Sequence, residues 1–272
     1  MENEAKRARR FAIISGKGGV GKTIITANVA AALTSSGQRV LVVDADLGLA
    51  NLDVILGLIP KFTLHDVLCG KQNVEKVLLS TERGFDLLPA ASGLSEDAVL
   101  TPSTTENIRS ILSVLETRYD TILFDAGAGI GAVVLFFADL AHEILLVVTP
   151  EITSLMDAYA TIKILKKNQG RSSFLLVVNQ ANPRHSGKIS ASVVNHLQDV
   201  ASKFLEAEDC TPVRLRLIGS IPHDPIIPQA ISQRRLLIDV NAQAPSTCSM
   251  NQIAESLLTG ISNRVNRPHS LI

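Results

Sequence analysis

The amino-acid sequence predicts a three-layer α/β fold in which a mostly parallel sheet lies between two layers of helices. Short runs of apolar, often β-branched residues recur along the chain with longer helical patterns between them. Such runs are typical of strands covered on both faces, and their alternation with helices indicates βαβ units. The residues directly after nearly every run are glycine or polar, which predicts a group of loops at one edge of the sheet.

Six runs predict the strands of this sheet. They are residues 11–14, 40–43, 121–124, 144–148, 174–178 and a weaker run at 215–220. The loops after the first five begin SGKGG, DADLG, DAGAG, TPE and NQAN. Ligands of open parallel sheets bind beyond the carboxyl ends of the strands, so we expect these loops to form one binding site.

Composition and charge restrict the class of protein. The chain has 272 residues, of which 46% are hydrophobic and 19% are charged, and this suits one compact domain rather than a disordered chain. The 26 basic residues balance the 26 acidic ones, so we expect no strong binding to nucleic acid. The apolar runs are shorter than the roughly 20 residues that span a bilayer, and no signal-peptide pattern follows the charged start. We therefore expect a cytoplasmic protein.

A glycine-rich loop predicts a phosphate-binding site. Residues 16–23, GKGGVGKT, match the pattern G-x-x-x-x-G-K-[ST], follow a predicted strand and precede a helical pattern that stops near Gly37. Glycines let backbone N–H groups face the phosphates, and the helix N-terminus adds partial positive charge. Lys22 should reach the β- and γ-phosphates, and the Thr23 hydroxyl should ligate Mg²⁺. The predicted fold is therefore a P-loop NTPase fold, and the predicted nucleotide contacts of its loop are Gly18, Gly19, Val20, Gly21, Lys22, Thr23 and Ile24.

Three aspartates at strand ends are candidates for metal binding and catalysis. Asp44 ends the second run, and Asp46 follows two residues later. A carboxylate at the first position can hold a water molecule on Mg²⁺, and one at the second can orient the water that attacks the γ-phosphate. Asp125 ends the third run, where a Walker B carboxylate is expected. The residues alone leave open that Asp44 caps a turn and that Asp125 is a buried structural carboxylate.

Two further residues have alternatives that the spacing does not decide. Asn179 follows the fifth run, where its amide can both donate to and accept from an adenine edge, although Asn after a strand also forms turns. Lys17 lies at the outer lip of the glycine-rich loop. It is either a solvated surface lysine or a lysine that acts across a dimer interface, as an arginine finger does.

The string KGGVGKT, residues 17–23, resembles the deviant Walker A motif of the MinD/ParA ATPases. The resemblance implies an enzyme that binds ATP and Mg²⁺ and forms a homodimer with ATP. It implies that Lys17 acts in trans on the partner's nucleotide, and that Asp46 is the switch I aspartate needed for hydrolysis.

The same resemblance assigns contacts to the nucleotide's base and sugar. Asn179 would read the adenine, with the backbone near Pro222 and the side chain of Asp224 as further contacts. Glu151, in the string PEITSLMDAYATIK, would lie at the dimer interface near the partner's ribose.

This string and two others, DADLGLANLDVILGL and FDAGAGI, resemble the flagellar-number regulator branch of the family, the FlhG/FleN group. The similarity runs from about residue 11 to residue 238. The branch implies a slow ATPase switch that controls flagellar number or placement. Its partner would be a flagellar transcription activator or a signal-recognition-type flagellar GTPase. The alternatives are a MinD-like role at the cell-division site and a ParA-like role in DNA segregation.

The C-terminal segment contains an apolar helical stripe. Four apolar residues follow one another four apart: Ile253, Leu257, Ile261 and Val265. Such a stripe either packs on the core or lies on a membrane, and the absence of lysines and aromatics favours the core. A reversible contact with the inner face of the cell membrane stays open. We expect a basic leader at residues 1–10, the P-loop ATPase domain at 11–250, and a C-terminal helix and tail at 251–272.

Overall fold

In a computed structural model of the protein, residues 7–46, 51–90, 100–209 and 211–265 are described. Eight strands of these residues form one sheet: β1 (Arg9–Ser15), β2 (Val40–Ala45), β3 (Leu79–Ser80), β4 (Asp86–Leu88), β5 (Thr121–Ala128), β6 (Glu143–Val148), β7 (Ser173–Ala181) and β8 (Arg214–Pro222). Their order is β3-β4-β2-β5-β1-β6-β7-β8. Neighbouring strands are parallel except for β3 and β4. All six predicted strands are present, and β3 and β4 were not predicted.

Helices cover both faces of the sheet. The helices of the described residues are α1 (Lys22–Ser35), α2 (Leu52–Leu56), α3 (Leu64–Leu68), α4 (Pro102–Leu115), α5 (Ala132–Leu140), α6 (Ile152–Gln169), α7 (Ser186–Asp209), α8 (Ile226–Ser232), α9 (Leu237–Val240) and α10 (Pro245–Val265), with a 3₁₀ turn at Val74–Lys76. None of these helices combines the length and apolar character needed to cross a bilayer.

Alternation along the strands divides the core into two clusters. On β1, Ala12 and Ile14 pack against helices α4 to α7, whereas Phe11 and Ile13 pack against α1, α8, α9 and α10. Successive strand side chains point to opposite faces, so buried residues at every position produce the continuous apolar runs of the sequence. The three-layer fold is confirmed.

The predicted boundary after residue 10 is wrong. β1 begins at Arg9, and the preceding Ala8 is buried. Arg9 and Arg10 fit a strand because their guanidiniums have acidic partners: Arg9 forms an ion pair with Glu143, and Arg10 Nη1 lies 2.7 Å from Glu116 Oε1.

The predicted boundary at residue 251 is also wrong, because α10 runs without interruption from Pro245 to Val265. Met250, Ile253 and Leu257 are buried in the same cluster against α1. The rest of the predicted stripe, at positions 261 and 265, lies outside the residues whose side chains the structure describes.

Candidate nucleotide-binding site

The glycine-rich loop connects β1 to α1 and requires glycine for two different reasons. Gly19 and Gly21 have φ angles of 77° and 95°, in the left-handed region that favours glycine. Gly21 is also the N-cap of α1, so the chain turns there directly into the helix. At Gly16 the reason is steric, because a Cβ atom would overlap the backbone of Asp157 on α6. The loop therefore packs tightly against α6.

Lys22 lies on the inner side of this loop. Its side chain is buried, and Nζ donates to Oγ of Ser15 at 2.9 Å. The Ser15 hydroxyl donates in turn to the carbonyl of Lys17 at 2.7 Å. Burial lowers the pKa of Lys22, while the charges of Asp125 and Asp46 act in the opposite direction. An ammonium group held in this way gains from a bound anion, which is what Lys22 would meet in a triphosphate.

The three predicted aspartates converge because β2 and β5 are neighbours. Asp44 pairs in register with Asp125, and the carboxylate of Asp46 lies against Gly127. Oδ1 of Asp44 accepts the backbone N–H of Asp46 at 3.1 Å. Burial raises the pKa of Asp44 well above its usual value, and the charges of Asp125 and Asp46 raise it further.

Asp125 is buried at the end of the fully covered part of β5. Burial raises its pKa to about 6, although hydroxyl donors oppose that change. The donors are Thr26, whose Oγ1 lies 2.8 Å from Oδ1 of Asp125, and Thr23. Asp44 and Asp125 are thus buried carboxylates whose charged form a cation would stabilise.

The donor set fits Mg²⁺. The hydroxyl of Thr23 and the carboxylates of Asp44 and Asp125 are oxygen ligands of the kind that Mg²⁺ prefers. In the described part of the chain, no three acidic, His or Cys side chains form a metal cluster on their own. This agrees with the usual mode of Mg²⁺ binding, in which one or two carboxylates act together with water and the phosphates of the substrate.

Lys17 occupies a different environment from Lys22. Its side chain is 40% exposed, and Nζ lies 2.6 Å from Oε2 of Glu151, which is itself 59% exposed. The hydroxyl of Thr153 is a second acceptor at 3.3 Å. The two residues that the resemblance assigns to the dimer interface therefore bind each other within one chain, an arrangement that the sequence did not predict.

Asn179 and Pro222 lie on the opposite side of the loop from the aspartates. Asn179 is buried, and its Nδ2 donates to the carbonyl of Val20 at 2.7 Å. Its Oδ1 accepts the backbone N–H of Gln180 at 2.9 Å. Pro222, the last residue of β8, pairs with Ala181 of β7. Asn179 thus fixes the phosphate loop, and its predicted contact with adenine stays a prediction.

Asp224 binds two helix starts. Its Oδ1 accepts the N–H of Ile226 at 3.1 Å, and Oδ2 accepts the N–H and hydroxyl of Ser246 at 3.1 and 2.8 Å. Burial acts to raise the pKa of Asp224, but these hydrogen bonds outweigh it, and the pKa is lowered on balance. The first turns of α8 and α10 use the carboxylate that the resemblance assigns to an adenine contact, and that contact stays a prediction.

Three site residues were not predicted: Ser15, which accepts from Lys22; Thr26, which donates to Asp125; and Thr153, which accepts from Lys17. For two of them a local signal existed. Ser15 directly precedes the glycine-rich loop, and Thr26 follows Lys22 by one helical turn. Thr153 had no such signal, because its contact depends on the neighbouring positions of β1 and β6.

The order of the strands arranges all these residues along one rim. The carboxylates of β2 and β5 lie on one side of the phosphate loop after β1, while Glu151 after β6, Asn179 on β7 and Pro222 on β8 follow on the other. This arrangement defines a P-loop nucleotide-binding protein.

Comparison with known proteins identifies its family. A family profile described as an AAA domain, AAA_31, matches residues 8–175. The antiactivator FleN of Pseudomonas aeruginosa is 37% identical over 247 residues, which cover 91% of this chain and 85% of FleN. The flagellum site-determining protein YlxH of Helicobacter pylori is 32% identical over 251 residues, covering 92% and 81%. The septum site-determining protein MinD of Pyrococcus horikoshii, solved with Mg-ADP, superposes with a TM-score of 0.73 at 29% identity over 93% of this chain and 98% of that one. The chain therefore belongs to the MinD/ParA family of P-loop ATPases, in the branch that includes FleN.

Proposed function

We propose that this chain is a Mg²⁺- and ATP-dependent switch that dimerises with ATP, hydrolyses it slowly and thereby regulates the number or placement of flagella. Two relatives support the biological part of the proposal: one is called an antiactivator and the other a flagellum site-determining protein. The rim described above supports the chemical part.

In this proposal the glycine-rich loop binds the phosphates through the backbone N–H groups of residues 18–24, and Lys22 binds the β- and γ-phosphates. Thr23, Asp44 and Asp125 would hold Mg²⁺, directly or through water molecules. Bound Mg²⁺ would neutralise charge that develops on the phosphate oxygens.

Asp46 is the proposed positioning group for the attacking water. Its carboxylate lies against Gly127 and close enough to Lys22 for its charge to oppose the lowering of the pKa of that lysine by burial. It therefore borders the place where Lys22 would hold a γ-phosphate. No Glu or Gln side chain accompanies Asp125 in the DAGAG segment, and this supports slow turnover.

The observation that carries the proposal is the contrast between the two lysines of one loop. Lys22 is buried inside the loop, whereas Lys17 is on the surface and bound to Glu151. An exposed ion pair contributes about 0–1 kcal/mol, so releasing Lys17 costs little. A cation supplied in trans to a triphosphate accelerates hydrolysis by roughly 10³ to 10⁵. The contact with Glu151 is therefore no obstacle to the proposed role of Lys17 on a partner's nucleotide.

Two substitutions test the switch. Asp46→Ala should keep ATP binding and accumulate the dimer, because hydrolysis no longer dissolves it. Lys17→Ala should abolish turnover and weaken the dimer. Both are measured by light scattering during size exclusion with Mg-ATP and by phosphate release. Lys71→Ala, at another exposed lysine, is the control. Monomeric profiles for both variants, with turnover intact, would contradict the trans role of Lys17.

The partner is proposed to be a flagellar transcription activator or a signal-recognition-type flagellar GTPase. A pull-down with Asp46→Ala protein and ATP, compared with Lys17→Ala protein, should recover it only with the dimer. A role at the division site is the second candidate, because the MinD structure shares the fold over most of both chains. Counting flagella and minicells after deletion of the gene distinguishes the two.

We further propose a cytoplasmic protein with α10 packed on its core, since Ile253 and Leu257 are buried. Co-sedimentation with anionic liposomes that increases with ATP would instead support membrane contact.

A further inference from the structure

A second cleft, which we call the basic cleft, lies away from the phosphate loop at the edge of the sheet that ends in β3 and β4. Its volume is about 230 Å³. Three segments line it: residues 56–58 at the end of α2, residues 81–83 between β3 and β4, and residues 234–239, which follow α8 and extend into α9. None of the residues of the nucleotide site belongs to it.

Positive charge predominates in the basic cleft. Arg83, Arg234 and Arg235 face only Glu82 and Asp239. Arg83 forms an ion pair with Asp239, and Arg235 donates to the main-chain carbonyl of Asp239 at 2.7 Å. Within the described ranges, no acceptor lies within hydrogen-bonding distance of the Arg234 side chain. The cleft thus offers one guanidinium to an outside anion.

Arg234 has a backbone conformation that glycine would adopt more easily. Its φ is 53°, and it directly follows the C-cap of α8. Its N–H donates to Ile231, and the N–H of Arg235 donates to Ala230, each at 3.0 Å. This is a Schellman motif, in which the left-handed residue is usually glycine. Arginine is therefore unfavourable for the backbone at this position, and its presence there indicates a use for the side chain.

Contact with α2 directs that side chain. A Cβ atom on Gly57 would lie 3.6 Å from Cβ of Arg234 and 3.8 Å from its Cδ. The aliphatic part of Arg234 therefore lies on the backbone after α2, where Gly57 leaves room for it. This packing holds the guanidinium at the cleft.

Exposed apolar residues next to these segments favour a protein ligand over a small ion. Ile59, two residues after Gly57, is 92% exposed, and Ile231, three residues before Arg234, is 43% exposed. The volume accommodates one or two acidic side chains and is below the range of about 300–1,000 Å³ that small-molecule sites have. Arg234 is exposed, and arginines beside apolar residues are typical anchors of protein interfaces.

We propose that the basic cleft binds an acidic segment of a partner protein, with one carboxylate on Arg234 and an apolar side chain on Ile59 or Ile231. The proposal does not depend on the nucleotide cycle.

The test measures binding of a fluorescein-labelled peptide, LEELLEEL, and of its glutamine counterpart, LQQLLQQL, by fluorescence anisotropy at low salt. The wild type should bind the glutamate peptide about tenfold tighter than the glutamine peptide, since hydrogen bonds to charged groups are the stronger ones. Arg234→Gly and Arg234→Gln should each lose about tenfold in affinity for the glutamate peptide. Arg118→Gln, at an exposed arginine that pairs with Glu75, should not.

The two variants separate binding from folding. Arg234→Gly relieves the backbone and should melt at the wild-type temperature or above, whereas Arg234→Gln keeps the strained conformation and the aliphatic stem. A loss of binding common to both supports the proposal. Unchanged binding in both, equal binding of the two peptides by the wild type, or displacement of the peptide by equimolar inorganic phosphate would overturn it.

Discussion

Replacing Asp125 by asparagine should stabilise the protein in the absence of nucleotide and Mg²⁺. Asp125 is buried, and burial raises its pKa from 3.8 to about 6. A difference of roughly two pKa units corresponds to about 3 kcal/mol of unfavourable free energy for the charged carboxylate in the folded protein at neutral pH. Asparagine carries no charge and keeps an oxygen that accepts the hydroxyl of Thr26.

The pH dependence distinguishes this effect from other causes of stabilisation. Between about pH 4 and pH 6 the folded wild type holds a proton on Asp125 that the unfolded chain has lost, so its stability falls as the pH rises through this window. The variant lacks that fall. The gain in the free energy of unfolding that Asp125→Asn brings should be small near pH 4 and reach its full value above pH 6. It should stay below the 3 kcal/mol worked out above, because burying the asparagine amide also has a cost.

Urea unfolding followed by circular dichroism from pH 4 to pH 8, in EDTA, measures the difference. Asp199→Asn, at an exposed aspartate on α7, is the control and should keep the wild-type pH dependence, because it retains Asp125. With Mg-ATP the wild type should be more stable than the Asp125→Asn variant, because a ligand stabilises only the protein that binds it. A variant that is less stable than the wild type at pH 7.5 without ligand, or a gain that does not change with pH, would refute the reasoning.

Two tight glycines should respond differently to alanine. Gly219→Ala brings a Cβ atom onto Ile253 and should lower the free energy of unfolding by roughly 1–3 kcal/mol. In an Ile253→Ala background the same change should cost clearly less in a urea double-mutant cycle, and an equal cost would contradict the contact. The Cβ atom of Gly16→Ala overlaps the backbone of Asp157, and no shorter side chain at that position removes the overlap. It should weaken ATP binding by calorimetry about tenfold or more through lost phosphate contacts, and unchanged affinity would show that the loop tolerates the shift.

The sequence predicted those strands whose own residues form a visible apolar run. Strands β1, β2, β6 and β7 have runs of four or more apolar residues because both faces of the sheet are covered. β3 (Leu79–Ser80) and β4 (Asp86–Leu88) are too short for any period to be visible. The ends of the predicted domain were wrong because Arg9 and Arg10 read as a basic leader until their acidic partners on other elements are known.

The site shows the same distinction. The phosphate loop is a local motif, so its residues could be predicted from one stretch of chain. The pairing of Asp44 with Asp125 depends on the order of the strands, which the sequence does not contain directly. The ion pair of Lys17 and Glu151 joins residues 134 positions apart, and the hydrogen bond of Asn179 to Val20 joins residues 159 apart. Such contacts are known only once β6 and β7 are seen beside β1.

The carboxylate of Asp224 has a mechanical consequence. It accepts hydrogen bonds from the first turns of two helices, at Ile226 and Ser246, and it lies just after the last strand of the sheet. Any displacement of the turn after Pro222 therefore either displaces the first turn of α10, a helix of 21 residues, or breaks these hydrogen bonds. The start of α10 is therefore held at the rim through Ser246, and a shift of the rim acts first on this end of the helix.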